Sequence, residues 1–190
     1  NKEYAYSLFM QFKYDEAIPL YDKLIAQGFD NFESNFILGL CYEDQPDNEK
    51  ALKHYQKAVQ FKNDNATCLF HLALIEKSFC MDSLSMAHFN QSLEVSLPKD
   101  RALRTYKWLA DLHFQHIRYA DAARDFELSI LYDEEDDPLN YYNAAQMFIA
   151  SKNKLKAKLY LQLFLANANR LEDKKEAAQL ISKAKEQLKQ

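Results

Sequence analysis

The chain is 190 residues long and carries 24 lysines and arginines against 28 aspartates and glutamates, so its net charge of −4 offers no basic footprint for nucleic acid. Two glycines and four prolines are too few turn-formers for a Rossmann domain, sandwich or barrel of this size, while 12 tyrosines, 13 phenylalanines and one tryptophan are too many packing groups for a disordered segment. No apolar run reaches membrane-spanning length, which argues against direct membrane insertion of this segment.

Taken from the amino end, the elements repeat. Tyr14-Asp15-Glu16-Ala17-Ile18-Pro19-Leu20-Tyr21 is answered by Asn48-Glu49-Lys50-Ala51-Leu52-Lys53-His54-Tyr55. Weaker echoes run from Ser85 to Ser92, Ala122 to Ser129 and Ala157 to Phe164. Aligned on the small residue in each phrase (Ala17, Ala51, Ser85, Ala122 and Ala157), the spacings are 34, 34, 37 and 35 residues, the period of helical hairpin repeats. The expected hairpins cover 1–31, 32–65, 66–99, 103–136 and 138–170, with two helices in each, together making a single repeat domain over 1–190. In 171–190, Ala177, Ile181, Ala184 and Leu188 form one apolar stripe on a charged helix, as an end-capping helix requires. The clearest turns are Asp44 to Asn48, Asn63 to Asn65, Leu97 to Asp100 and Glu134 to Pro138. The extra residues before the fourth hairpin predict a longer loop around Pro98.

This pattern resembles the tetratricopeptide repeat. Small residues stand at repeat position 8 (Ala5, Gly39, Ala73, Ala110, Ala145) and position 20 (Ala17, Ala51, Ser85, Ala122, Ala157), and larger ones at position 24 (Tyr21, Tyr55, Phe89, Phe126, Leu161). Helices A and B of a hairpin cross closely where both lack a large side chain, and the ring at position 24 fills the space beside the crossing. The resemblance implies an all-α, right-handed superhelical solenoid of antiparallel helical hairpins. Two departures stand out: Glu76 replaces a common aromatic residue in the third repeat, and Phe164 occupies a usually small position in the fifth.

Little in the chain points to catalysis. There is no phosphate loop, HExxH helix, EF-hand loop or nucleophile elbow, and no cofactor is implied. His113 and His116 lie three apart without a well-spaced third ligand, so no metal site is expected and hairpin packing accounts for them. Cys41, Cys68 and Cys80 read as buried small hydrophobes, which favours a reducing, cytoplasmic setting. Asn1-Lys2-Glu3-Tyr4 is neither an initiator sequence nor a signal peptide, so export and further segments stay open. The acidic run Asp133 to Asp137 reads as a solvated loop.

The expected function is therefore a non-catalytic scaffold for a protein or peptide, with a structural module of a larger assembly as the alternative. The resemblance places helix-A positions 2, 5, 6, 9, 12 and 13 on the inner surface. Applied here, it nominates Phe36, Leu40, Phe70, His71, Arg104, Lys107, Trp108, Tyr142 and Asn143 as partner-binding residues, centred on Trp108. The dicarboxylate clamp known in this family is not expected. Starting at the first repeat, its places hold Lys2, Tyr6, Ile37, Thr67 and His71, and only Lys2 fits; later starting points fare no better.

Overall fold

The computed structural model describes residues 2–189, and the described residues contain eleven α-helices and no strand. The first compact unit runs to Leu97 and holds α1 (Lys2–Met10), α2 (Tyr14–Ala26), α3 (Phe32–Asp44), α4 (Asn48–Phe61), α5 (Ala66–Ser78) and α6 (Asp82–Val95). The second begins at Pro98 and holds α7 (Lys99–Gln115), α8 (Tyr119–Ile130), α9 (Pro138–Ala150), α10 (Lys154–Asn167) and α11 (Lys174–Gln187). Successive helices pair as hairpins, and the odd-numbered helices α1 to α9 are the A helices. Short polar side chains start many of these helices. Asn31 accepts from Ser34 N–H, Asp47 from Lys50 N–H, Asn65 from Cys68 N–H, and Asp173 from both Lys175 and Glu176 N–H.

The residues inserted before the fourth hairpin do not lengthen a loop. Only Ser96 to Pro98 separate α6 from α7, and α7 spans 17 residues where α3, α5 and α9 span 13. The insertion was absorbed as an extra helical turn, since helical residues satisfy their own backbone groups and a longer loop would not.

Each hairpin turns in the same way. The N–H groups of Lys13, Asp47, Met81, Arg118 and Asn153 reach back to the carbonyls of Leu8, Tyr42, Glu76, His113 and Phe148 at 2.8–3.0 Å. Phe12, Cys80, Ile117 and Lys152, one residue earlier, are left-handed (φ 55–62°) and donate to Phe9, Lys77, Phe114 and Ile149. These two bonds are the Schellman helix ending, which usually recruits glycine. Pro46 stands at this place in the second hairpin and has no N–H, so only the longer bond forms there. Scarce glycine therefore does not mean that left-handed turns are absent; non-glycine residues bear the strain. Ile117, β-branched and 72% exposed, bears the most for the least packing return. Ile117→Gly should raise stability by about 0.5–1 kcal/mol, the relief of the left-handed strain less the entropy glycine adds to the unfolded chain, measured by urea denaturation.

The small-residue crossings are as the repeat predicts. Ala5, Ala73, Ala110 and Ala145, with Ala17, Ala51, Ser85, Ala122 and Ala157, are all buried, as is Gly39. Tyr21, Tyr55 and Phe89 are wholly enclosed beside them. The Tyr55 ring lies so close to Gly39 that a β-carbon there would meet it at 2.5 Å. Ser85 fits the third crossing because its hydroxyl donates to the Ala73 carbonyl (2.8 Å). In α10 the large residue has moved by one turn: Leu161 takes the place of the ring, and Phe164 is fully buried against Tyr142 at 5.1 Å.

A second pair, 12 residues apart, closes each hairpin beyond the crossing. Leu8 and Leu20 belong to one apolar cluster, Tyr42 stacks on His54 (5.6 Å), and Phe148 stacks on Tyr160 (5.4 Å). In the third hairpin this pair is Glu76 with His88 (2.7 Å), and in the fourth it is His113 with Asp125 (2.6 Å), the acid having changed helix. Glu76 is thus no surface outlier: it is 1% exposed and held by a histidine.

Candidate functional site

In the first unit the inner-face candidates are built on α1, α3 and α5. Phe36 and Leu40 are half-buried, with Phe36 stacked on Phe32 (5.5 Å) and tilted against Tyr55 (6.2 Å). Tyr6 is exposed on α1 and lies 6.1 Å from the half-buried Phe9. His71 is half-buried and joins two A helices: its Nδ1 meets Glu43 Oε2 at 2.9 Å while its ring stacks on Tyr55 at 5.8 Å. The Tyr55 hydroxyl donates to the same carboxylate. Burial works to raise the Glu43 pKa, but the bond and charge of His71 and the hydroxyl of Tyr55 outweigh it, and the carboxyl is held below its ordinary value. Glu43 is thus a member of this surface that inspection of single repeats does not reveal. The available sequence signal was an acid late in one A helix followed 28 residues later by a histidine.

In the second unit, Arg104 and Asn143 are exposed, and Lys107 and Trp108 are half-buried. Neither Arg104 nor Lys107 has a carboxylate partner among the described residues, so two cations remain available beside an indole on one face of α7. Gln146 on α9 exchanges amide hydrogen bonds with Gln187 of α11 (2.9 and 3.0 Å), so the terminal helix is pinned to this A helix.

Two nominated residues do not offer the rings expected of them. Phe70 is 4% exposed, packed edge-on against His71 (5.5 Å) and Phe89 (6.2 Å). Tyr142 is 7% exposed and lies against Phe164. Both stand at repeat position 5 and pack against helix-B rings, Phe89 and Phe164, whereas Phe36 at the same position of the second repeat stays half-buried. Cys80 also departs from expectation, being exposed in the α5–α6 turn, whereas Cys41 and Cys68 are buried. Burial pushes both of those thiols up to about 12, aided at Cys41 by Asp44, which leaves them unreactive packing groups.

The remaining candidates for chemistry are structural. His113 is occupied by Asp125. The acidic run folds on itself: Asp133 accepts from Glu135 and Asp137 N–H and from Asn140, Asp137 caps α9, and Arg170 binds Asp136 and the Glu135 carbonyl. No described helix is long and apolar enough to cross a membrane.

The sequence and fold can be placed among known proteins. Residues 10–80 match the family described as anaphase-promoting complex, cyclosome, subunit 3. The chicken (Gallus gallus) protein named DnaJ homolog subfamily C member 3 is 25% identical over 91% of this chain, which spans only 38% of that protein's length. Among solved structures, YrrB, described as a TPR protein with an unusual peptide-binding site, superposes with a TM-score of 0.74 at 15% identity, covering 95% of this chain and 89% of YrrB. The C-terminal part of a TPR repeat-containing protein from Cytophaga hutchinsonii gives 0.67 at 20% identity, covering 87% of this chain and 64% of its own. With the 34-residue period, the paired helices and the buried small residues at every crossing, these likenesses identify the chain as a tetratricopeptide repeat protein in its fold.

Proposed function

We propose that the chain is a non-catalytic scaffold that holds peptide or protein segments on the inner faces of the A helices within each of its two compact units. A fold of this type serves protein–protein interaction, and the observation that carries the finer reading is the content of those faces. Trp108 stands with the unpaired Arg104 and Lys107 on α7, and the half-buried Phe36 and Leu40 stand on α3. Aromatic and aliphatic groups that keep part of their surface in water gain most when a partner covers them, and the cations orient an acidic or polar backbone. The peptide-binding site described for YrrB is consistent support, as that structure shares this fold.

The test begins with peptides selected from a displayed random library against the purified chain. Each is titrated against wild type, Trp108→Ala, Lys107→Glu and Leu40→Glu, with matched circular-dichroism melts. A loss of affinity of about tenfold or more in Trp108→Ala or Leu40→Glu is expected. Wild-type affinity in all three folded variants would sink the proposal.

A further inference from the structure

The fifth hairpin differs in charge from the rest of the molecule. Between Asp137 and Glu172 the sequence has no aspartate or glutamate, yet it carries Lys152, Lys154, Lys156, Lys158 and Arg170 within a chain whose net charge is −4. Lys156 is already occupied: it binds both oxygens of Glu127 (2.6 and 2.8 Å) and lies over the Phe148 ring. Arg170 is held by the acidic loop. Lys152, Lys154 and Lys158 are exposed and have no anionic partner among the described residues.

These three lysines border one hollow of about 450 Å³, where the α9–α10 turn meets the end of α11. Its lining also includes Ile149, Leu161 and Leu188, so an apolar interior is rimmed by uncompensated positive charge. Glu186, the acid nearest in sequence to the lining residues of α11, is not part of it. We propose that this hollow docks a short acidic segment of a partner protein, with one bulky apolar side chain inserted and flanking carboxylates on the lysines. Recessed apolar surface favours an inserted side chain over a lipid surface, which would require apolar groups that protrude. The acidic run of a second copy is a poor occupant, because Asp133, Asp136 and Asp137 are engaged by Asn140, Tyr141, Arg170 and backbone N–H groups.

The hollow borrows Ile149 from α9 but shares no residue with the α3 and α7 surfaces that carry the proposed function, so its failure and that of the proposed function are distinguishable. The probe is a fluorescent synthetic peptide, capped at both ends, with a Phe-Leu centre flanked by glutamates, titrated against the whole chain by anisotropy. Saturable binding that weakens as salt is raised is expected, with a loss of about tenfold in Lys154→Glu/Lys158→Glu and in the same peptide with its Phe-Leu centre replaced by Ala-Ala. Both lysines are exposed and unpaired, so their replacement leaves the fold intact, and matched melts verify it; Lys152→Ala, a milder change, should weaken binding in the same direction. The same tenfold loss from Lys154→Glu/Lys158→Glu is expected on a Trp108→Ala background, because the lysine rim acts independently of the α7 face. No binding, unchanged binding in the lysine variants, or equal binding of a lysine-flanked peptide would overturn the proposal. So would preferential binding to phosphatidylserine vesicles, or concentration-dependent dimerisation that the glutamate peptide fails to compete.

Discussion

Replacing His113 with alanine is expected to destabilise the second unit by about 3 kcal/mol, because it strands the Asp125 carboxylate in the interior with no comparable partner. The two side chains are only 8% and 6% exposed, so water cannot readily replace the histidine. The double variant His113→Leu/Asp125→Leu should recover most of the loss, since the first hairpin fills the corresponding places with Leu8 and Leu20. The sign with pH follows from burial, which raises the Asp125 pKa above its ordinary 3.8 and outweighs the His113 bond and charge that lower it. A raised carboxyl binds its proton more readily folded than unfolded, so the cost of the ionised group is present at neutral pH and relieved toward acid. The deficit of His113→Ala should therefore shrink as pH is lowered toward 4. Urea denaturation of both variants at neutral and acid pH measures this; a single-variant loss under about 1 kcal/mol would mean that the pair is not the buried, hydrogen-bonded contact described.

The second large effect lies at the crossing of α3 and α4. Gly39→Ala should destabilise by about 1–2 kcal/mol even though alanine is the better helix former by about 0.8–1 kcal/mol. The added carbon would meet the Tyr55 ring at 2.5 Å, and Tyr55 is fully buried with its hydroxyl tied to Glu43, so the ring cannot step aside cheaply. Tyr21 stands in the corresponding place over Ala5, but its buried hydroxyl has no hydrogen-bond partner among the described residues, leaving that ring free to settle around a methyl group. Tyr55→Leu alone should cost about 3 kcal/mol through the cavity and the broken bond to Glu43. On that background Gly39→Ala should change sign and stabilise, because the fifth hairpin pairs Ala145 with Leu161 in this way. Thermal melts of the four proteins decide it: additive losses in the double variant would show that ring and glycine are not coupled.

Much of this architecture was legible because the repeat supplies its own controls. A small residue recurring near every 34 residues has no local reason to recur unless two helices cross there, and each of those positions is buried. The apolar stripe of the last helix was equally readable: Ala177 and Ala184 are buried, while Lys174, Lys175 and Lys183 remain in water. What escaped one-dimensional reading was direction and partnership. The alignment put Phe70 and Tyr142 on the inner face, but whether a ring at that position points outward or into the hairpin depends on the space left by its neighbours. Glu76 looked like a departure until His88, 12 residues on, came within 2.7 Å.

The sequence by itself therefore determined the helical class, the hairpin period and the small-large-small packing code, because these follow from residue size and spacing along one chain. Tertiary structure alone decided which polar residues are buried as pairs, which rings remain at the surface, and that Phe12, Cys80, Ile117 and Lys152 take the left-handed place usually given to glycine. It also gathered three unpaired lysines around one apolar hollow, although the acid-free stretch that contains them was visible in the sequence. The physical reason is common to all of these: burial, desolvation and turn strain are set by atoms on other helices, whose distance and orientation periodicity does not encode.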